Sequence, residues 1–347
     1  LSVLCLEDKI VQQAVVSLLN TIYEGDFLGF SYGFRPGRNQ HMALDALTVG
    51  LYRKRINWIL DLDIAKFFDT VEHEWLIRFV EHRIRDKRIL RLITQWLKVG
   101  FADKDGRRVA SQTGTPQGGV ISPLFANIYL HYAFDLWVQK WRKQPNRKES
   151  IVVRYADDGV LGFQTERDAK EFLCAVKERL GKFGLALHSE KTRLIRFGRF
   201  AAEQCKAMGL PKPEPFNFLG FTHCCGTTRN GRFIVKRLTA KKRMRKQIKG
   251  IAIELKRRLH QHPKDVGKWL RTVVQGHMNY YSVPLNSRSI SGFCYEVKCR
   301  WYKALCRRSQ RRKINWAKFA PLADYWIPSP KVVHPYPETR FDARYST

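Results

Sequence analysis

The stretch Ile151-Val152-Val153-Arg154-Tyr155-Ala156-Asp157-Asp158-Gly159-Val160-Leu161-Gly162-Phe163 limits the fold of this chain more than any other. Apolar runs flank a polar pair, which predicts a tight β-hairpin with two aspartates at its tip. Adjacent carboxylates repel each other and invite a divalent cation, and hard oxygen ligands of this kind suit Mg²⁺. Asp-Asp-Gly between strands is also ordinary turn chemistry. The hairpin becomes a site only if a third carboxylate and a source of phosphate are close by.

Trp58-Ile59-Leu60-Asp61-Leu62-Asp63-Ile64 supplies the third carboxylate. Its alternation reads as a strand with Asp61 and Asp63 on one face. Asp63 lies where the strand gives way to Ala65-Lys66-Phe67-Phe68-Asp69, and strand ends commonly display catalytic groups. Asp63, Asp157 and Asp158 then form a candidate triad that could hold two Mg²⁺ ions about 3.5–4 Å apart. Such a site would activate a 3′-hydroxyl toward an α-phosphate and neutralise the leaving pyrophosphate. Arg35 and Arg38, in the loop Ser31-Tyr32-Gly33-Phe34-Arg35-Pro36-Gly37-Arg38-Asn39, are candidates to bind the triphosphate. Without a phosphate in view, the same two arginines read as a solvated surface loop.

Charge points to a polyanionic partner. The net charge is +32 over 347 residues, far beyond what solubility needs, and nucleic acid is the first candidate. The excess concentrates between Lys236 and Lys313, where 23 Lys and Arg meet three Asp and Glu. That segment reads as helices over roughly 239–260, 263–280 and 288–308, with Trp269, Tyr280, Tyr281, Trp301 and Tyr302 interleaved. No apolar run is long enough to span a bilayer. The eight cysteines contain no Cys-x-x-Cys pair and read as reduced, mostly buried thiols of a cytoplasmic protein.

Elsewhere, helical spacing predicts helices over 7–20 and 41–51, and one long helical region over about 73–99. Ser122 and Pro123 predict the start of an apolar helix running to Trp137. Thr165 predicts the start of another, ended by Gly184. Short strands are expected at 185–187, 194–197 and 216–221, a loop over 199–215, and an extended Pro-rich tail over 314–347.

At this point the sequence resembles the group II intron-encoded reverse transcriptase/maturases. The motifs that carry the resemblance stand in family order across nearly the whole chain. They are Ser31 to Arg38, Asp63-Ile64-Ala65-Lys66-Phe67-Phe68-Asp69, and Gly114-Thr115-Pro116-Gln117-Gly118-Gly119-Val120-Ile121-Ser122-Pro123. Tyr155-Ala156-Asp157-Asp158, Glu190-Lys191-Thr192, Phe218-Leu219-Gly220-Phe221 and Gly276-His277-Met278-Asn279-Tyr280-Tyr281 complete the set.

The resemblance implies an α+β right-hand polymerase. Fingers and palm with an antiparallel sheet would occupy 1–235, a helical basic thumb/maturase domain 236–313, and the tail 314–347. It implies that Asp63, Asp157, Asp158 and the backbone of Ile64 hold two Mg²⁺ ions, with Mn²⁺ able to substitute. Phe68 would be the gate that rejects a 2′-hydroxyl, while Arg35 and Arg38 would contact the triphosphate. Gln117 would pack near the nascent base pair, and Lys191 would touch the primer-template or nucleotide. Tyr155, Gly220 and the basic residues Lys241, Lys242, Arg243, Arg245 and Lys246 would contact nucleic acid.

The implied partners are group II intron RNA, an RNA template, a DNA primer or target, and dNTPs. The implied roles are reverse transcription, splicing assistance and intron mobility, in a bacterial cytoplasm or nucleoid. Homodimerisation is left open. Two departures from the family stand out: Leu4-Cys5 replace a typical Pro-Thr, and no upstream fingers extension or Cys/His-rich endonuclease module is expected. The competing readings are a polymerase-inactive maturase and a reverse transcriptase unconnected to introns, such as one of phage defence.

Overall fold

The computed structural model describes residues 5–98, 101, 102, 108, 109, 113–115, 118–308 and 314–345. The chain forms two compact units, Leu1–Glu214 and Pro215–Thr347.

In the first unit the order is α1 (Leu6–Tyr23), α2 (Gln40–Arg53), β1 (Trp58–Asp63), α3 (Phe67–Thr70), α4 (His73–Glu81) and α5 (Lys87–Lys98). The short strands β2 (Phe101–Ala102) and β3 (Arg108–Val109) pair with each other. Next come α6 (Ser122–Leu130), a π-helical turn (His131–Asp135) and α7 (Leu136–Arg142). The hairpin strands β4 (Ser150–Tyr155) and β5 (Asp158–Phe163) follow, then α8 (Glu166–Gly181), β6 (Arg193–Arg196) and α9 (Ala201–Ala207).

The sheet order is β4-β5-β1-β6, antiparallel throughout. Its alternation sends Leu60, Leu62, Val152, Leu161 and Phe163 to one face. There they pack with Phe125, Ile128, Tyr129, Phe172 and Val176 from α6 and α8 to make the main core. The aspartates of β1 lie on the other face. Side-chain caps start α2 and α8, whereas α6, which Ser122 was expected to cap, begins at Ser122 itself with Ile121 at the cap position and no side-chain cap bond. Asn39 Oδ1 accepts from the Met42 amide at 3.0 Å, and Thr165 Oγ1 from the Asp168 amide at 3.1 Å.

Several elements differ from the sequence expectation. The long helix over 73–99 is two helices, α4 and α5, and Asp86 caps the second by accepting from the Arg88 amide at 2.8 Å. Residues 185–187 make only an isolated bridge, Ile64 with Leu187, because the chain there is fastened to the end of β1 alone. The expected loop over 199–215 contains α9. Of the eight cysteines only Cys205 and Cys294 are buried; the rest are partly or fully exposed.

The second unit contains β7 (Phe216–Phe218), β8 (Phe221–Thr227), β9 (Phe233–Thr239), α10 (Lys241–Arg257), α11 (Pro263–Tyr281), α12 (Ser287–Cys306), α13 (Trp316–Trp326) and α14 (Pro337–Tyr345). The single strand expected at 216–221 is a hairpin. Phe218 pairs with Phe221 across Leu219 and Gly220, both at positive φ (47° and 79°), the signature of a two-residue type I′ turn. The expected domain boundary at 235 falls inside β9, whereas the compact units divide between Glu214 and Pro215. Asn286 ties β9 to the helical part, accepting from the Thr239 amide at 3.0 Å.

The expected extended tail is helical in large part. Phe319, Ala323 and Ile327 are buried against Leu270, Val274 and Trp301 in the second core. Pro321 sits inside α13, where the packing of Phe319 and Ala323 outweighs one missing backbone donor.

Candidate active site

Strand register brings the three aspartates together. Asp63 is the last residue of β1 and pairs directly with Asp158, the first of β5. Tyr155 pairs with Asp158 in turn, leaving Ala156 and Asp157 as a two-residue loop. Ala156 has φ +55°, a conformation such loops usually give to glycine. It stores strain on the order of 1–3 kcal/mol, which the surroundings must hold in place.

Those surroundings are the loop from Phe30 to Arg38. The Arg154 amide donates to Phe30 O (2.9 Å) and the Tyr32 amide to Arg154 O (2.8 Å), so the loop runs beside β4. Gly33 lies against the turn: a Cβ there would stand 2.3 Å from the Ala156 nitrogen. The Arg154 side chain is buried beneath and donates to Asp135 Oδ1 (2.8 Å), Ser31 Oγ (2.8 Å), Asn127 Oδ1 (3.2 Å) and Ala156 O (2.9 Å). A second contact reaches the other Asp135 oxygen, completing a bidentate pair. Asn127 Nδ2 donates to Gly33 O at 2.7 Å. Breaking such a buried pair from one side costs about 3–5 kcal/mol.

Sequence reading missed Asp135, Asn127 and Arg154 as a group. The signal was there: one acid in the apolar helix after Leu124 and one base in the apolar strand before Tyr155. Charges of opposite sign in two apolar runs announce a buried pair.

Arg35 overturns an expectation. It is buried, with its guanidinium on the Glu24 carboxylate (Nε–Oε1 3.0 Å), Leu28 O (2.8 Å) and Ser31 O (2.9 Å). Its donors are spent on holding the loop closed, so a triphosphate contact is replaced by a structural one. Arg38 is half-buried; it donates to Gly29 O at 2.7 Å and lies 5.2 Å from the Tyr32 ring centre. Phe67 is core, whereas Phe68 is half-buried, edge-on to Phe67 at 5.4 Å. The Thr115 amide donates to Phe68 O at 2.8 Å, which fastens the start of the Gly-rich loop beside Phe68. Gln117 lies outside the described residues.

Asp63 O accepts from the His188 amide at 2.9 Å, and Ala186 O from the Ala65 amide at 2.8 Å. This bridge uses the backbone on both sides of Ile64, so strand alternation leaves the Ile64 carbonyl toward the β5 side. The same segment carries Lys191, whose Nζ lies 3.2 Å from Asp63 Oδ2.

The electrostatics ask for positive charge. Burial raises the Asp157 carboxyl above its usual range and Asp63 adds to this, while Lys191 and Arg154 oppose it. Burial pushes Asp61, on the same face, up to about 7, with Arg193 opposing and Asp158 and Asp63 adding. Among the described residues no three His, Cys, Asp or Glu side chains are drawn into a ready-made cation cage. The donors nonetheless fit a hard cation: all are carboxylate or carbonyl oxygens, and an ammonium group already sits on Asp63.

In the second unit, Tyr280 Oη donates to Leu219 O at 2.7 Å. A Cβ on Gly220 would meet Tyr281 Oη at 2.9 Å. Thus Gly220 and the motif ending in Tyr280-Tyr281 lock one hairpin turn to α11. Lys241, Lys242, Arg243, Arg245 and Lys246 are all exposed on α10, whose opposite side buries Ile251 and Leu255. Three of those cations fill a helix first turn that contains no acid. Like charge there opposes the helix dipole, a cost that an anionic partner would offset.

An antiparallel sheet that sets carboxylates from two paired strand ends beside a tight turn, backed by helices on its far face, is a polymerase palm. The family described as "Reverse transcriptase (RNA-dependent DNA polymerase)" matches residues 1–223. The chain belongs to that family.

It is 34% identical over 229 residues to "Protein YkfC" of Escherichia coli, covering 56% of this chain and 58% of that protein. It is 36% identical over 205 residues to "Group II intron-encoded protein LtrA" of Lactococcus lactis, covering 56% of this chain and 34% of that one. Similarity to "Putative COX1/OXI3 intron 2 protein" of Saccharomyces cerevisiae reaches 25% identity, covering 90% of this chain and 43% of that protein. The chain thus spans between a third and three fifths of these relatives' lengths. Among solved structures, a telomerase from Candida albicans aligns over 91% of this chain and 52% of that one, at 14% identity and a TM-score of 0.46. Among the described residues no helix is long and apolar enough to cross a membrane.

Proposed function

We propose that this chain is an RNA-directed DNA polymerase that extends a DNA primer with dNTPs on an RNA template. It also binds a group II intron RNA, assists its splicing and supports its mobility. The observation that carries the polymerase reading is the pairing of Asp63 with Asp158 across β1 and β5, beside the Asp157 turn. The intron reading rests on the similarity to an intron-encoded protein and on the exposed cations of α10.

Asp63, Asp157, Asp158 and the Ile64 carbonyl would hold two Mg²⁺ ions, or Mn²⁺ in their place. When bound, these ions would make a 3′-hydroxyl a better nucleophile and neutralise the departing pyrophosphate. The chain's own residues do the positioning. The turn at Ala156 presents Asp157, and the ladder holds Asp63 level with Asp158. Lys191, already beside Asp63, is placed to follow negative charge on an incoming nucleotide. Phe68, fixed edge-on to the core, would stand as the gate against a 2′-hydroxyl. Lys241, Lys242, Arg243, Arg245 and Lys246 would neutralise RNA phosphates.

The test is Mg²⁺-dependent primer extension on an RNA template. Asp157→Ala should abolish extension while binding of structured RNA persists. A variant that extends as well as wild type would show the metal assignment to be wrong. A wild-type chain that binds intron RNA and adds no nucleotide would support the inactive maturase instead.

A further inference from the structure

We propose that Arg154 is a positioning residue for nucleotidyl transfer, holding Ala156 at positive φ so that Asp157 faces Asp63. The inference rests on the polymerase reading above. Four observations converge on it. Ala156 occupies a strained turn conformation without being glycine. Its carbonyl accepts a hydrogen bond from Arg154, at 2.9 Å. The guanidinium is held in turn by Asp135, Asn127 and Ser31, all buried. Gly33, whose carbonyl is bonded to Asn127, closes on the Ala156 amide from the other side.

The π turn at His131–Asp135 makes this convergence possible. Asn127 and Asp135 are eight residues apart, and unbroken α-helix would carry the second about 80° past the first. The wider turn takes up that excess, so both side chains reach the same guanidinium. Such turns recur at functional sites. Here it aims an acid at the base directly beneath the catalytic turn. Arg35 secures the same brace from outside through Ser31 O. The motif from Ser31 to Arg38 therefore acts as a backbone brace for the turn.

The experiment removes both charges together, because an orphaned buried partner would unfold the protein for an uninformative reason. Arg154→Met with Asp135→Leu keeps the volume apolar and leaves Ala156 O without its donor. Primer extension is measured against Mg²⁺ concentration, with thermal melting and RNA binding alongside. The double variant should melt near wild type and bind RNA equally. It should need about tenfold more Mg²⁺ for half-maximal rate and turn over about 100-fold more slowly, as expected for a misplaced ligand.

Adding Ala156→Gly, which accepts φ +55° without strain, should recover a large part of the Mg²⁺ response. An unchanged Mg²⁺ response in a folded double variant would overturn the proposal. So would failure of Ala156→Gly to rescue it. Should the double variant fail to fold, Ser31→Ala, which removes one acceptor and no charge, is read the same way. It should raise the Mg²⁺ requirement in the same direction, and no change would overturn the proposal. If wild type itself adds no nucleotide, it is the polymerase reading that fails.

Discussion

Placing one methyl group at Gly33 tests whether the loop over 31–38 braces the turn that carries Asp157. A Cβ there would stand 2.3 Å from the Ala156 nitrogen, 3.0 Å from the Tyr155 carbonyl carbon and 3.1 Å from the Ala156 Cα. All are backbone atoms, so no side-chain rotation relieves the overlap. Comfortable carbon contacts begin near 3.5 Å, so loop and turn must separate by about 1 Å. Overpacking of this kind costs about 1–3 kcal/mol. Loss of the 2.7 Å bond from Asn127 to Gly33 O adds about 1 kcal/mol.

For a unit of this size, Gly33→Ala should then lower the melting temperature by roughly 5–15 °C. Displacing Asp157 by a comparable distance should slow primer extension about 100-fold. The assay is single-turnover extension at saturating primer-template, below the melting transition. Gly29→Ala is the control, because a Cβ at Gly29 meets nothing within 4 Å. It should leave rate and melting unchanged. Wild-type rate and melting in Gly33→Ala would refute the bracing argument.

Three further outcomes follow from the same geometry. Asp61, pushed up to about 7 against an unfolded value near 4, keeps a proton in the native state that the unfolded chain has lost. Stability therefore falls as pH rises from about 4 to about 7, at a slope of at most about 1.4 kcal/mol for each step of one in pH. Asp61→Asn should flatten that part of the profile in thermal melts and be the more stable protein at pH 8. Lys191→Gln removes a cation from the Asp63 carboxylate; because the pair is solvent-exposed it is worth at most about 1 kcal/mol. The Mg²⁺ concentration for half-maximal extension should drop no more than about fivefold, and a rise would contradict the competition. Phe319→Ala in α13 should cost about 3–5 kcal/mol in urea unfolding, since the ring is fully buried beside Trp301 and Tyr302. A loss below about 1 kcal/mol would mean that α13 is not part of the second core.

The sequence by itself determined the elements whose cause is local. The hairpin at Asp157, the strand ending at Asp63, the starts of α2 and α8, and the three basic helices follow from period, capping residues and charge. Each depends on neighbours a few positions away. Motif order was enough to identify the family and to nominate three aspartates that register then brought together. Tertiary structure decided whatever depends on a partner far along the chain. Arg35 looked like a phosphate ligand until Glu24 and two carbonyls consumed its donors. The tail looked extended because its prolines disfavour helix locally, yet Phe319 and Ala323 had a core to enter. Opposite charges in two apolar runs signal the pairing of Arg154 with Asp135, but helical spacing does not give its geometry, because a π turn re-aims the acid. Burial turns such residues from surface charges into fixed struts, and burial is a property of the folded chain.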